Sequence, residues 1–456
     1  MSKLGKFAAA SAAVLCAFGA GEVRAADQEL ADGGDLAAAV AQANDGDTIT
    51  LGEGNYACVS LSVTKAITIR GAGAKSVLAA GANATAITLN NAGAVLEDVG
   101  FSGTKASGFI NVAAGTCRRV TVAGITEQGK VFNVTGADAV LDDCCATNIF
   151  RNWSGQGYIL CQSAGLVKNS RFVDMYGPDE AVNITGGTIS NCLIKGTIDN
   201  YRTGAQAGNG QTFAALKVNG SNALVTHSRI VENGKLNSAR YGTILLSAGT
   251  VRNCLIADNV VQSYGAVALS GSGRLENCTV VGTIRNNASQ NGLSLHMTGG
   301  TAVNNIFDDG ERGSASVYVS SGTFATNLVP VAVSTGVGNK VGVPFFLDPE
   351  AGDYTPGICS EAVNAGALLP WMTEGATDVR GADRVMGDAP DMGAFEGQYG
   401  EDGPLSCGFK VANNQFRVDA ADKTVVFSAS VFAAFAGVSY GDSGVAFSAS
   451  TYILFG

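Results

Sequence analysis

Residues 251–256 read Val-Arg-Asn-Cys-Leu-Ile, and this short pattern decides the fold because it recurs along the chain. Residues 189–194 read Ile-Ser-Asn-Cys-Leu-Ile, and residues 275–280 read Leu-Glu-Asn-Cys-Thr-Val. In each copy one apolar residue lies two positions before the Asn and another lies three positions after it. The alternation of a strand therefore breaks at the Asn, which predicts a tight corner, because Asn tolerates the left-handed backbone that such a corner needs.

The corner position repeats at a spacing typical of a solenoid. It falls at residues 98, 119, 143, 169, 191, 227, 253, 277 and 304, so most steps are 21 to 27 residues long, and the step from 191 to 227 carries an insertion. A second apolar strand lies between copies, as in residues 110–112 and 267–269, and no amphipathic helix separates the strands. We therefore expect each repeat to be one coil of three short strands, with successive coils pairing in parallel about 4.8 Å apart.

These patterns predict an all-β chain, a right-handed single-stranded parallel β-helix of about 10 to 11 coils. A short capping helix near residues 36–43 would close its N-terminal end, because open strand edges must be covered. Stacked Asn amides would hydrogen-bond from coil to coil. Cys144, Cys192, Cys254 and Cys278 would stack inside the coils as small hydrophobic residues. Disulfides stay open as the alternative for these thiols, since the chain is expected to be exported.

Four segments follow from the pattern. Residues 1–25 read as a signal peptide, with Lys3 and Lys6 before a short apolar stretch and Val23-Arg24-Ala25 as the cleavage site. Residues 26–345 form the β-helix with its cap. Residues 346–400 form a C-terminal module, and residues 401–456 form a small β-rich tail that resembles part of a PKD-like module. No later apolar stretch is long enough to span a membrane, so we expect a secreted or cell-surface protein.

Composition narrows the range of partners. The net charge of −10 makes nucleic acid and anionic membranes unlikely ligands. Only two histidines, His227 and His296, are present, which leaves little scope for metal sites or catalytic triads built on His. A capped solenoid needs no second subunit, so we expect a monomer.

Two resemblances extend the interpretation. Residues 36–43, residues 46–51 (Gly-Asp-Thr-Ile-Thr-Leu) and residues 67–71 (Ile-Thr-Ile-Arg-Gly) resemble the N-terminal cap and first coil of the pectate-lyase-like β-helix superfamily. That resemblance covers residues 30 to 330 and implies the fold more strongly than an activity. Residues 362–366 (Ala-Val-Asn-Ala-Gly) and 391–396 (Asp-Met-Gly-Ala-Phe-Glu) are similar to the choice-of-anchor Q module of secreted bacterial β-helix proteins, although no LPxTG-like motif follows.

The choice-of-anchor resemblance implies an exported surface protein rather than a reaction. Four charged residues of this module could form a site or a structural cluster. We interpret them as a salt-bridged cap over the last coil, in preference to a catalytic role. They are Asp378, Arg384, Asp391 and Glu396.

The outward positions of the second strand form a polar row suited to sugars, which offer hydroxyl groups and apolar ring faces. The alternative for this row is an ordinary solvated face. The row contains Asn111, Asn133, Asn183 and Lys217, flanked by Gln162, Thr185, Asn219 and His296. The aromatic residues on or beside the long loops that enter this strand are Trp153, Tyr158, Tyr176, Tyr201 and Tyr241.

A polysaccharide lyase is the main alternative function. It needs a base beside a uronate and a cation that stabilises the developing charge, and the superfamily resemblance implies Arg or Lys for the first task and often Ca²⁺ for the second. The candidate bases are Lys217, Arg229 and Arg171. The candidate calcium ligands are Asp174, Asp179 and Glu180.

A glycoside hydrolase is the third possibility, and it needs a pair of carboxylates. Glu97 and Asp142 occupy equivalent positions two coils apart, but Arg118 lies between them and Lys168 follows. This alternation of charge favours a coil-to-coil ladder of exposed ion pairs. We therefore expect a β-helix protein that binds a polysaccharide or cell-surface glycan, or acts as an adhesive scaffold.

Overall fold

The structure is a computed structural model of the 456-residue chain. It describes residues 27–103, 108–127, 129–151, 158–176, 180–198, 214–234, 243–261, 264–285, 294–308, 316–358 and 360–399, together with the strands at 416–419, 424–427 and 447–448.

The chain forms a right-handed parallel β-solenoid of about 10 turns, which confirms the predicted fold class. Each turn passes through three parallel sheets, which we call sheets A, B and C in chain order. Three long strands, Thr68–Ala80, Thr85–Ser102 and Gly108–Arg118, bend around corners and contribute to more than one sheet.

The separate strands of sheet A are Leu61–Val63, Lys130–Val134, Leu160–Gln162, Val182–Ile184, Leu216–Val218, Ile244–Leu246, Val267–Leu269, Leu295–Met297 and Val317–Val319. Those of sheet B are Asp27–Leu30, Thr48–Leu51, Ala139–Asp142, Leu166–Lys168, Gly187–Ser190, Ala223–Thr226, Thr250–Arg252, Arg274–Glu276, Thr301–Val303 and Thr323–Ala325. Those of sheet C are Gly54–Cys58, Thr121–Ala123, Cys145–Arg151, Arg171–Tyr176, Leu193–Lys195, Arg229–Val231, Leu255–Ala257, Thr279–Val281, Ile306–Asp308, Leu328–Val329 and Lys340–Val341. Outside these sheets, Thr126–Glu127 pairs with the end of Cys145–Arg151, and Val260–Val261 pairs with Ile284–Arg285.

The corner between sheets B and C has the predicted left-handed backbone. All nine predicted positions have positive φ. The first, Asp98, has a φ of 56° and the last, Asn304, has a φ of 58°. Residues other than Asn, such as Arg119 and His227, are among them. The strand register places them in a single file, because Lys168 pairs with Ser190 and each later turn continues that alignment. The predicted amide stacking is direct at Asn191, whose Nδ2 donates to Oδ1 of Asn169 at 2.8 Å.

The residue after each corner faces inward, as predicted. The Sγ or Oγ of one turn accepts a hydrogen bond from the backbone N–H of the turn before it, as Ser170 Oγ does from Cys144 N at 3.1 Å. Asn305 and Asn327 continue the same ladder with their amide oxygens. The eight described cysteines are all free thiols, and Cys144, Cys192, Cys254 and Cys278 are buried. This row therefore combines apolar burial with satisfied backbone donors.

The core is one continuous column of inward-facing side chains. Ile189, Val225, Val251 and Leu275 are fully buried at equivalent positions of successive sheet B strands. Helix α1 (Leu36–Gln42) closes the N-terminal end with Leu36 and Val40 buried, and Asp35 caps it by accepting from Ala38 N. Among the described residues, no helix is long and apolar enough to cross a membrane.

The segment from Phe346 to Tyr399 packs along the side of the solenoid. It begins with an antiparallel hairpin, Phe346–Asp348 and Asp353–Pro356, joined by a 3₁₀ turn at Pro349–Ala351. Phe395 and Ala394 pack on the outer face of sheet C against Leu255 and Val281. The prediction of a cap over the last coil is therefore corrected, because the apolar outer side chains of the later sheet C strands draw this segment onto the flank.

The four charged residues of this segment are buried inside it. Arg384 is fully buried, and its Nη2 lies 3.6 Å from Glu396 Oε2. Asp378 accepts from Arg380 and Ala382, and Asp391 accepts from Asn364 N and Gly397 N. These contacts fit the predicted structural role, because each carboxylate fixes a loop backbone.

Corner side chains hold this segment in place. Asn304 makes a two-point contact with Ala367, since its Nδ2 donates to the carbonyl and its Oδ1 accepts from the N–H, both at 2.7 Å. Asn253 Nδ2 donates to Thr377 O at 2.8 Å, and His227 Nε2 lies 3.1 Å from the same oxygen. The corner file thus stacks on itself in the middle turns, and in the later turns it also binds the backbone of the C-terminal segment, with Asn304 Nδ2 still donating to Asn277 Oδ1 at 3.3 Å.

Candidate functional site

The outer side of sheet A carries one side chain per turn in a single file, which we call the A file. The register aligns Asn111 with Asn133, and then with Cys161, Asn183 and Lys217. The predicted polar row therefore lies together on one face. Cys161 is a further member of the row that the sequence pattern does not predict. The later members are Leu245, Ala268, His296 and Tyr318.

The amides at the start of the A file are linked to each other. Asn133 Nδ2 donates to Asn111 Oδ1 at 2.7 Å, and Lys130 Nζ donates to Asn133 Oδ1 at 3.0 Å. Asn183 is 8% exposed, and its Oδ1 has no hydrogen-bond partner among the described residues. The half-exposed amides of Asn111 and Asn133 suit a hydroxyl-bearing ligand.

Lys217 occupies the centre of the A file beside an acidic partner. Its Nζ lies 2.8 Å from Oε1 of Glu180, whose side chain is buried. Glu180 precedes the sheet A strand Val182–Ile184, so the two charged groups come from neighbouring turns. The pair leaves this part of the face close to neutral.

The C-terminal end of the A file is aromatic. The rings of His296 and Tyr318 stack on successive turns, with centroids 4.8 Å apart and planes at 24°. Tyr264 meets the His296 ring at 82° and a centroid distance of 5.0 Å. The sequence pattern places His296 beside the row and does not single out Tyr264 or Tyr318. The stretches Leu295-His296-Met297 and Val317-Tyr318-Val319 repeat the apolar alternation of sheet A, and this repeat is the signal that identifies His296 and Tyr318 as outer strand positions.

Gln162 is a correction to the predicted row. It is fully buried and points inward, because it pairs in register with Val134 and Ile184. Its Nε2 donates to the carbonyls of Gly165 and Thr188 and holds the corner between sheets A and B.

The other flanking residues lie at the surface. Thr185 and Asn219 are exposed at the ends of sheet A strands. Thr185 lines a shallow groove of about 480 Å³ along the corner between sheets A and B, with Ser163, Thr188 and Asn222. This groove adjoins the A file and extends its polar surface.

The predicted aromatic rim is only partly described. Tyr176 stacks on Phe150 with centroids 4.7 Å apart and planes at 10°, at the end of sheet C. Trp153, Tyr201 and Tyr241 lie outside the described residues.

The candidate lyase residues do not converge on one face. Lys217 belongs to the A file, whereas Arg171 and Arg229 lie two turns apart on the outer side of sheet C. The split arises because Lys217 and the two arginines lie on different sheets, and each sheet directs its outer side chains in a different direction.

The candidate calcium ligands remain a prediction. Asp174 is exposed at a left-handed position within the sheet C strand Arg171–Tyr176, and Glu180 pairs with Lys217. Asp179 lies outside the described residues. In the described part of the chain, no three acidic, Cys or His side chains are grouped so as to hold a metal ion.

The charge ladder on sheet B is real, but its centre is buried rather than exposed. Glu97 is fully buried between Arg70 and Arg118, which flank it in register, and Arg119 Nη2 lies 2.9 Å from its carboxylate. Burial alone would raise the pKa of Glu97, but hydrogen bonds from Arg118 and Arg70 outweigh it and lower that pKa to about 2. Asp142 pairs with Lys168 at 3.1 Å. Both carboxylates serve ion pairs, which disfavours the paired-acid chemistry of a hydrolase.

No family model and no curated protein sequence matches the chain. The solved structures that resemble it include pectate lyase Pel9A, at 14% identity and a TM-score of 0.43, with 81% of this chain and 96% of that chain covered. A mutant of the PL6 family alginate lyase AlyGC gives 12% identity and a TM-score of 0.43 over 70% of this chain. The chain spans about half of that lyase, 54% of its length.

The PL6 family polysaccharide lyase Pedsa3628 from Pseudopedobacter saltans gives 12% identity and a TM-score of 0.35, with 69% of this chain and 91% of that chain covered. At these identities and scores the likeness extends to the β-helical architecture alone.

Proposed function

We propose that this chain is a secreted or cell-surface β-helix protein that binds a glycan along the A file. The single observation that carries the proposal is the alignment of Asn111, Asn133, Asn183 and Lys217 on one outer face. Equivalent side chains recur about every 4.8 Å along such a face. A linear polymer with hydroxyl groups at a regular interval matches a linear row of amides better than a compact ligand does.

Two further features support this face as the binding surface. The linked, half-exposed amides of Asn111 and Asn133, with Lys130 beside them, offer donors and acceptors to a sugar hydroxyl. The rings of Tyr264, His296 and Tyr318 supply apolar surface at the other end of the same file. Sugar sites combine such donors and acceptors with ring surfaces.

A polysaccharide lyase is the second candidate, because Lys217 lies among the amides where a base would meet the polymer. Its ammonium is paired with Glu180, and the other two candidate bases lie on sheet C. We therefore propose glycan binding in preference to lyase activity.

Glycan-array binding with the full chain tests the proposal. We expect binding, and we expect an Asn111→Ala/Asn133→Ala double variant to lose at least about tenfold in affinity, since two hydrogen-bonding groups are removed. Ser190→Ala, an outer residue of sheet B, is the matched control and should bind normally. Absence of binding to every glycan would exclude the proposal.

An assay for release of unsaturated uronate from several polyuronates, with and without Ca²⁺, separates the two functions. We expect no release. Calcium-dependent release that disappears in Lys217→Ala would establish the lyase instead.

A further inference from the structure

The two ends of the solenoid are finished differently. At the N-terminal end, helix α1 covers the first turn, and Lys65 Nζ donates to the helix-end carbonyl of Ala41 at 2.7 Å. At the C-terminal end, the segment after residue 329 adds a partial turn, in which Val337 and the strand Lys340–Val341 pair in parallel with the turn before, and Val333 packs against the core. This end has no helix among the described residues.

Exposed apolar side chains concentrate at this C-terminal end. Of the ten large apolar side chains exposed among the described residues, four lie between residues 331 and 343. Val337 is the most exposed at 79%. The others are Val331, Val341 and Val343. We call these four residues the end patch. Such a concentration of apolar surface on a soluble face marks an interaction site.

Unpaired strand edges border the end patch. The last sheet C strand, Lys340–Val341, pairs on one side with Leu328–Val329, and the last sheet A strand, Val317–Val319, pairs on one side with Leu295–Met297. No other described strand pairs with their outer edges. The described tail strands bond to one another in a separate antiparallel sheet and do not pair with these edges. Open edges beside apolar surface favour pairing with another chain.

We propose that the end patch binds the end patch of a second copy of this chain, so that two solenoids meet end to end. A two-fold axis across this end runs the last strands of the two copies antiparallel, and their free N–H and C=O groups then face each other. A partner with a different end would not present the same set of edges. This proposal replaces the monomer that we expected from the sequence.

The charges at this end are self-complementary. Lys340 and Glu361 are both exposed, and the Glu361 side chain lies against Gly342, beside the last sheet C strand. Neither forms an ion pair with a described residue of its own chain. A two-fold axis gives each Lys340 an acidic counterpart on the other copy, while the apolar residues meet at the centre.

Sedimentation velocity over a concentration series tests the proposal with the full chain. We expect a dimer whose dissociation constant rises at least tenfold in Val341→Lys and in Val337→Lys. Leu368→Lys is the matched control, because Leu368 is 68% exposed but lies in the flanking segment, and its dimer should be unchanged. Unchanged circular dichroism would show that each variant is folded. A monomer at every concentration, or equal weakening by the control, would overturn the proposal.

A photo-crosslinking residue in place of Val337 identifies the occupant directly. Isotopically labelled and unlabelled chains are mixed before irradiation, and the products are analysed by mass spectrometry. Crosslinks between labelled and unlabelled chains support the dimer. Crosslinks confined to one chain, including its own residues 400–456, or no crosslinks at all, would overturn it.

Discussion

At the scale of single residues, two buried groups show how the outward ladder and the inward stack differ. Glu97 is an acid surrounded by arginines, and its pKa is lowered to about 2 by Arg118 and Arg70. Cys192 is a thiol in an apolar row, and burial raises its pKa to about 12. The Glu97 carboxylate stabilises the fold only while it is charged. The Cys192 thiol stabilises the fold only while it is neutral.

Glu97→Gln should lower the free energy of unfolding by about 3 kcal/mol, because it removes the charge that pairs with three guanidinium groups. Glu53→Gln is the control. Its pair with Lys75 is 2.7 Å long but exposed, so the loss should be below about 0.5 kcal/mol. Urea unfolding measures both, and equal losses would contradict the prediction.

The pH dependence of the Glu97 effect has a defined sign. Its pKa is lower in the folded chain than in the unfolded chain, so its contribution is complete above about pH 5 and disappears as the pH falls toward 2. The difference between the chain and Glu97→Gln should therefore shrink on acidification.

Alkylation without reductant tests the thiol stack. Cys144, Cys192, Cys254 and Cys278 should stay unlabelled in the folded chain and react fully after unfolding, because they are buried and free. Cys161 is half-exposed in the A file and should react without unfolding. A thiol in the stack that stays unlabelled after unfolding would reveal a disulfide.

At the scale of elements, the corner between sheets B and C was the most predictable feature. One left-handed residue per turn has a sequence signature that a single chain displays, so even Arg119 and His227 were placed correctly by spacing. The docking of the C-terminal segment was not predictable in this way. Its contacts to Asn253 and Asn304 are long-range, and amide stacking neither requires nor excludes them, since Asn304 Nδ2 donates to Asn277 Oδ1 at 3.3 Å as well as to Ala367 O.

Comparison of two corner residues tests the additional contacts of Asn304. Asn304→Ala and Asn191→Ala both place Ala at a left-handed position, with native φ of 58° and 52°, so the backbone cost should be similar in both. Each also removes one bond to the preceding corner amide. Asn304→Ala in addition leaves Ala367 N–H, its carbonyl and the Thr326 hydroxyl without their partner. It should cost about 1 to 3 kcal/mol more in urea unfolding than Asn191→Ala. Equal costs would show that these additional contacts contribute nothing.

At the scale of the whole molecule, charge is segregated by face. The described arginines Arg70, Arg118 and Arg252 lie on the outer side of sheet B, and Arg171 and Arg229 lie on sheet C. The cation in the middle of the A file, Lys217, is paired with Glu180. The residues on each face can be predicted from the sequence only when the strand register is known. A shift of one residue exchanges inward and outward positions, as Gln162 illustrates.

Glycan binding along the A file should depend little on salt, because Lys217 is paired with Glu180. We expect affinity to change by less than about twofold between ~0.05 and ~0.5 M NaCl, because opposite charges at the centre of the face cancel. Arg171→Ala/Arg229→Ala should leave affinity unchanged, since those side chains face away. Titration calorimetry at both salt concentrations measures this, and a steep decrease with salt would place the ligand on an arginine-bearing face.

The single left-handed residue between sheets B and C also determines where the chain tolerates a change in length. The connection from sheet C to the next sheet A strand runs from residue 196 to 215 in one turn and only from 258 to 266 in another, and both turns complete the same coil. Foreign peptides inserted near residue 204 would leave every downstream contact in place. One residue added beside Asn277 would shift the register of the strand that follows by one residue and turn its inward side chains outward. Natural variants of this chain should therefore differ in length in the connections from sheet C to sheet A and hardly at all at the corner between sheets B and C.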